Sequence, residues 1–124
     1  MTAATKTKPN KKNLVKFTIT FDADQLLKDI MESFPEYAQY NFCITHYDYD
    51  KVEYKFTDDE DGKKYVCNLP KLRKGLQLML REFEQGKLPG LSVNLDNFRD
   101  AGQWDAYDTH ALIQFAMLGE CIYG

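Results

Sequence analysis

Residues 45–61 bring together seven acids, two lysines and four aromatic rings. Carboxylates beside tyrosines suit a partner that carries Lys or Arg on its face. The acids supply charge complementarity and the rings supply most of the binding energy. Tyr47, Asp48, Tyr49, Asp50 and Glu53 lie in or beside one predicted turn, and Asp58, Asp59, Glu60 and Asp61 form the next. Trp104, the only tryptophan, lies between two predicted helices. It is read either as a hydrophobic staple ahead of the cap Asp105 or as an exposed anchor. Together these residues are the expected partner-binding set. Tyr47 and Tyr49 make the first turn the stronger candidate, because rim charges alone contribute little.

Other chemistries fit less well. The loop Asp58-Asp59-Glu60-Asp61-Gly62 suggests calcium, but the EF-hand spacing puts Thr57 at the first ligand position and Asn68 at the last. No metal is expected. Cys43 and His46 stand three apart on a predicted strand, so they face opposite ways and cannot chelate together. His110 lies near Asp105 and Asp108, a conceivable acid–base group. Both aspartates also suit a helix N-terminus as caps, and that is the preferred assignment. The chain has no G-x-S-x-G, P-loop or G-x-G-x-x-G, and its only serines are Ser33 and Ser92. No catalytic motif and no cofactor are expected, and the protein reads as a non-enzyme.

The predicted elements place these residues as follows. Leu14–Phe21 alternates as a strand, and a helix follows from the cap Asp22, with Gln25 at the capping-box position. Leu26, Leu27, Ile30, Met31 and Phe34 form its buried stripe, and Pro35 stops it. Three strands come next, at 40–46, 52–57 and 64–69. Tyr40, Phe42, Ile44 and His46 share one face of the first, which leaves Tyr47 and Tyr49 on the other. A helix begins near Pro70, with Leu72, Leu76, Leu80 and Phe83 on one side and Gly75 marking a close contact. A short helix is expected over Asn94–Ala101. The last helix, from Asp105 or Asp108, is apolar nearly all round and so buried. The order β-α-β-β-β-α-α-α predicts a single α+β domain, an antiparallel sheet packed by helices.

The 124 residues are enough for one domain. Lys6, Lys8, Lys11 and Lys12 give residues 1–13 four positive charges and no acid. That leaves the body, with 12 bases and 19 acids, at −7. Residues 1–13 are read as a flexible basic head and 14–124 as the domain. An acidic body repels phosphate, so direct nucleic-acid binding is not expected. Three cysteines, far apart, suit buried thiols in a reducing compartment. No signal-like segment and no membrane-length apolar run is seen, so a cytoplasmic protein without membrane contact is expected. The leading functional expectation is a small protein-binding module that docks on a basic surface of a partner. Inhibitors and adaptors encoded by phages or mobile elements share this size and charge, an analogy of class only. The alternatives are a small-molecule or nucleotide pocket lined by Tyr40, His46, Tyr54 and His110, and a homo-oligomer.

Overall fold

The computed structural model describes residues 20–32, 42–48 and 50–121. The element order is α1 (Ala23–Met31), β1 (Phe42–Asp48), β2 (Glu53–Asp58), β3 (Lys64–Cys67), α2 (Leu69–Glu84), a 3₁₀ turn (Ala101–Gln103) and α3 (Ala106–Leu118). The strands form one antiparallel meander in the order β1-β2-β3. The described residues thus form an α+β domain of three helices and a three-stranded sheet. The additional first strand is not shown: residues 14–19 lie outside the described residues, and Thr20 and Phe21 are irregular. Residues 1–13, Phe34, Pro35, Tyr40 and Tyr49 also lie outside them.

Each helix begins where a side chain can satisfy its first amides. Asp22 caps α1 by accepting from Asp24 N at 3.0 Å. Gln25 donates to Asp29 Oδ1 at 2.9 Å. Leu26, Leu27, Ile30 and Met31 turn inward. Asn68 caps α2 by accepting from Lys71 N, and Pro70 sits in the first turn, where no amide donor is needed. Asp105 caps α3, which ends at Gly119 in the left-handed conformation, φ 79°.

The core lies between the inner sheet face and the helices. Tyr54 and Phe56 come from β2, Leu27 and Met31 from α1, Leu72 and Met79 from α2, and Leu112 and Ile113 from α3. The Tyr54 hydroxyl donates to Met31 O at 2.9 Å, satisfying a carbonyl at the end of α1. Gly75 lets α2 and α3 touch. A Cβ there would sit 2.7 Å from Ala116 N, so any larger residue would force the helices apart. Eight successive residues of α3, Asp108–Phe115, are buried, as its nearly continuous apolarity predicts.

The helix expected at Asn94–Ala101 is replaced by tight turns and the 3₁₀ turn at Ala101–Gln103. The reason is side-chain competition for backbone amides. Asn94 Oδ1 accepts from Asp96 N and Asn97 N, Asn97 Oδ1 accepts from Asn94 N, and Asp100 Oδ1 accepts from Gly102 N.

Candidate functional site

The first hairpin is shaped by a bulge. Ile44 pairs with Phe56, but His46 pairs with Lys55, so Thr45 is the extra residue. This shifts the side-chain alternation by one place. Tyr47 is therefore paired with buried Tyr54, and His46 with exposed Lys55. Uninterrupted alternation from Tyr40 predicts the opposite face for each of these two residues. The Tyr47 ring stacks over Tyr54, with centroids 6.3 Å apart and planes at 20°, and Tyr54 stacks on Phe56 in the same way. Tyr47 remains 45% exposed. It is an aromatic surface held in place by a buried ring.

The acids of this edge follow it in the ladder, and alternation puts them on the other face. Asp48 and Glu53 are directly opposite partners across the β1–β2 ladder. Like charges in that position repel. Asp48 Oδ1 also shapes the turn, accepting from Asp50 N at 3.0 Å and Lys51 N at 3.2 Å. Asp50 is exposed. Val52 closes the turn with φ 51° and is 2% exposed. A β-branched residue rarely adopts that conformation, and here burial of the side chain in the core accompanies it.

The second turn differs from expectation at its first residue. Asp58 ends β2 on the inward face, after Tyr54 and Phe56, and is 2% exposed. Its Oδ1 accepts from Glu60 N at 2.7 Å, so it is a turn-forming residue and not part of a contact surface. Asp59, Glu60 and Asp61 are exposed at the tip, where Asp61 Oδ1 accepts from Lys63 N. Trp104 is also corrected. It is 8% exposed and its Nε1 donates to Phe98 O at 2.7 Å, so it belongs to the core and offers no anchor. Phe98 in turn meets Phe21 edge-on at 5.4 Å.

At the start of α3, Asp105 and Asp108 form a reciprocal capping box, each accepting the other's amide at 2.9 Å. Asp108 Oδ1 also accepts from Ser92 N at 2.9 Å, and Asp105 Oδ2 accepts from the Ser92 hydroxyl at 2.5 Å. Burial pushes the Asp108 carboxyl above the usual carboxylate range against the pull of three amide donors, and the Asp105 charge adds to the rise. Burial also raises Asp105, but hydrogen bonds from Ser92, Asp108 and Tyr107 outweigh it and hold that carboxyl low. His110 lies 3.4 Å from Gln114 Nε2 through its Nδ1. Burial lowers its pKa and keeps the ring neutral at physiological pH. The conceivable His110–aspartate group is not assembled, because both carboxylates are engaged by the Ser92 segment and the helix amides.

The pocket expected around Tyr40, His46, Tyr54 and His110 is not assembled either. Tyr40 lies outside the described residues. Tyr54 is 1% exposed, and the bulge turns His46 toward the outer face. Sequence reasoning missed a different hollow of about 290 Å³ between the 88–91 segment and the first turns of α3. Its only trace in the sequence is Leu88 and Leu91 standing among Gly86, Pro89 and Gly90, apolar residues with no strand or helix period.

Cys67 is a buried free thiol. Burial pushes the Cys67 thiol up to about 12, against the nearby Lys71 charge, so it is inert as a nucleophile. Among the described residues no three His, Cys, Asp or Glu side chains gather as a metal would need, and no helix is long and apolar enough to cross a membrane. No family model, no curated protein and no solved structure matches the chain.

Proposed function

We propose that this protein is a non-enzymatic binding module that docks its first hairpin edge on a basic surface of a partner protein. The observation that carries the reading is one hairpin edge with the ordered Tyr47 ring on one face and the opposed carboxylates Asp48 and Glu53 on the other. A guanidinium or ammonium group set between the two carboxylates would relieve the repulsion of like charges, while a partner surface that wraps the edge would meet the ring on its other face. Little ordering entropy opposes binding, because the ring is already stacked and Asp48 already holds its turn. Asp50 adds a charge that steers encounter. The exposed second tip, Asp59 to Asp61, extends the acidic surface at the other end of the sheet but has no ring beside it. The −7 body disfavours duplex DNA as the partner, and the buried Cys67 thiol suits a reducing cytoplasmic setting.

The test uses the full chain as bait in host lysate. Wild-type protein is compared with a Tyr47→Ala, Asp50→Lys double variant whose circular dichroism shows it folded. A partner held by the wild type at physiological salt, released by high salt and lost from the variant is the expected result. The same proteins held equally by both baits would overturn the assignment of this edge.

A further inference from the structure

The hollow beside α3 has the construction of a site. The segment that roofs it is fixed at both ends. Gly86 N and Lys87 N bond back to Phe83 O and Glu82 O at the end of α2. Ser92 N and Val93 N are held by Asp108 Oδ1. Between these ties, Leu91 N donates to Leu88 O and closes an arch. Leu88 takes φ 61° although glycines stand at 86 and 90. A leucine in the left-handed region is uncommon, and such outliers gather at ligand clamps. Its side chain borders two hollows, one of about 290 Å³ and one of about 460 Å³.

We propose that the smaller hollow binds a small, neutral, largely apolar molecule, best an aromatic ring system with one hydrogen-bonding group. Its walls are Leu88, Leu91 and Ala111, Tyr107 stands at the rim, and His110 and Cys121 supply the polar atoms. Among the described residues no Lys, Arg, Asp or Glu lines it, so a charged ligand would lose its hydration without gaining a counter-charge. The imidazole is neutral, and with Nδ1 accepting from Gln114 Nε2 its proton lies on Nε2. Tyr107, 59% exposed, offers a ring face to an aromatic guest. The volume stands near the lower end of small-molecule sites, about 300 Å³, which suits one or two fused rings.

Indole is the probe, with indole-3-acetate as its charged analogue, titrated into the full-length ¹⁵N-labelled protein. Indole should move the amide signals of Leu88, Leu91 and Ala111 saturably, and indole-3-acetate should bind at least about tenfold more weakly. Ala111→Leu places extra carbon in the hollow, and Leu91→Phe does so from the opposite wall should the first variant fail to fold. Either folded variant should weaken indole by about tenfold or more. Absence of saturable shifts up to the solubility of indole would overturn the site. So would shifts of equal size in a blocked variant. Equal binding of the acetate would overturn the neutral ligand class.

Discussion

Asp105 with Asp108, and Asp48 with Glu53, are two carboxylate pairs in opposite circumstances. The first pair is wrapped in donors: each carboxylate accepts the other's amide, and the Ser92 hydroxyl and amide complete the set. The second pair faces itself across a strand ladder at the surface. Donors make the first pair a structural joint between α3 and the segment that precedes it. At the hairpin, Asp48 gives one oxygen to its turn, and the opposed charges remain unfavourable to the fold. Carboxylates retained against stability are where function is best sought. A count of acids along the chain does not separate the two cases.

The largest break in this comparison comes at α3. Asp108→Ala removes one half of the capping box and leaves the Ser92, Val93 and Asp105 amides short of an acceptor at a buried site. Loss of a cap together with orphaned donors should cost about 2–4 kcal/mol. Urea unfolding measures it directly, and a loss below about 0.5 kcal/mol, the ordinary surface range, would show that the joint carries no weight.

A second break uses pH. His110 is 5% exposed and its pKa is lowered from the ordinary value of 6.5 by burial. Below 6.5 the unfolded chain takes up a proton that the folded protein refuses. Stability should therefore fall as pH drops through 6.5 toward the lowered value. The lowered Asp105 carboxyl acts in the same direction at lower pH. The raised Asp108 carboxyl acts oppositely, because its charged form is the one that burial penalises. Unfolding midpoints from about pH 7.5 to about pH 5.5 isolate the histidine, and His110→Gln should flatten the slope there. An unchanged slope in that variant would move the effect to another group.

How legible this was in the sequence varied with the kind of signal. Residues with a period were placed well. The stripe Leu26, Leu27, Ile30 and Met31, the alternation Val52, Tyr54, Phe56 and the run Ala111 to Phe115 of the last helix are buried as their pattern predicts. Gly75 in a helix interior did mark a close approach. Departures from period were not legible. The sequence alternates smoothly through 40–46, so nothing in it announces the Thr45 bulge, which is set by pairing with β2. That one residue decides that Tyr47 stacks on Tyr54 and that His46 is exposed. Val52 was read as strand and sits in the turn, because its inward side chain looks the same from either position. The Asn94–Ala101 turns were misread because three side-chain caps in a row outweigh a weak helical pattern. The expected contact set lost Asp58 and Trp104 to burial, since residue type alone does not reveal which acid ends a strand on its inner face.

The smallest expected effect is the sharpest discriminator of the two carboxylate pairs. Glu53→Lys places a positive charge opposite Asp48, so repulsion becomes attraction across the ladder. Among the described residues no backbone amide donates to the Glu53 carboxylate, and Asp48, which holds the turn, is untouched. The substitution should raise stability by about 0.2–1 kcal/mol, with the gain shrinking as salt is added. A cross-strand double-mutant cycle with Asp48→Asn assigns the gain to this pair rather than to net charge, which the variant also changes. The same variant should weaken capture of a basic partner, because it fills the place that a partner's cation would take. Stability up and binding down from one substitution is the signature of a carboxylate kept for contact. A loss of stability would place Glu53 with Asp108, as a structural acid, and the docking edge would then have to be sought at Asp59 to Asp61.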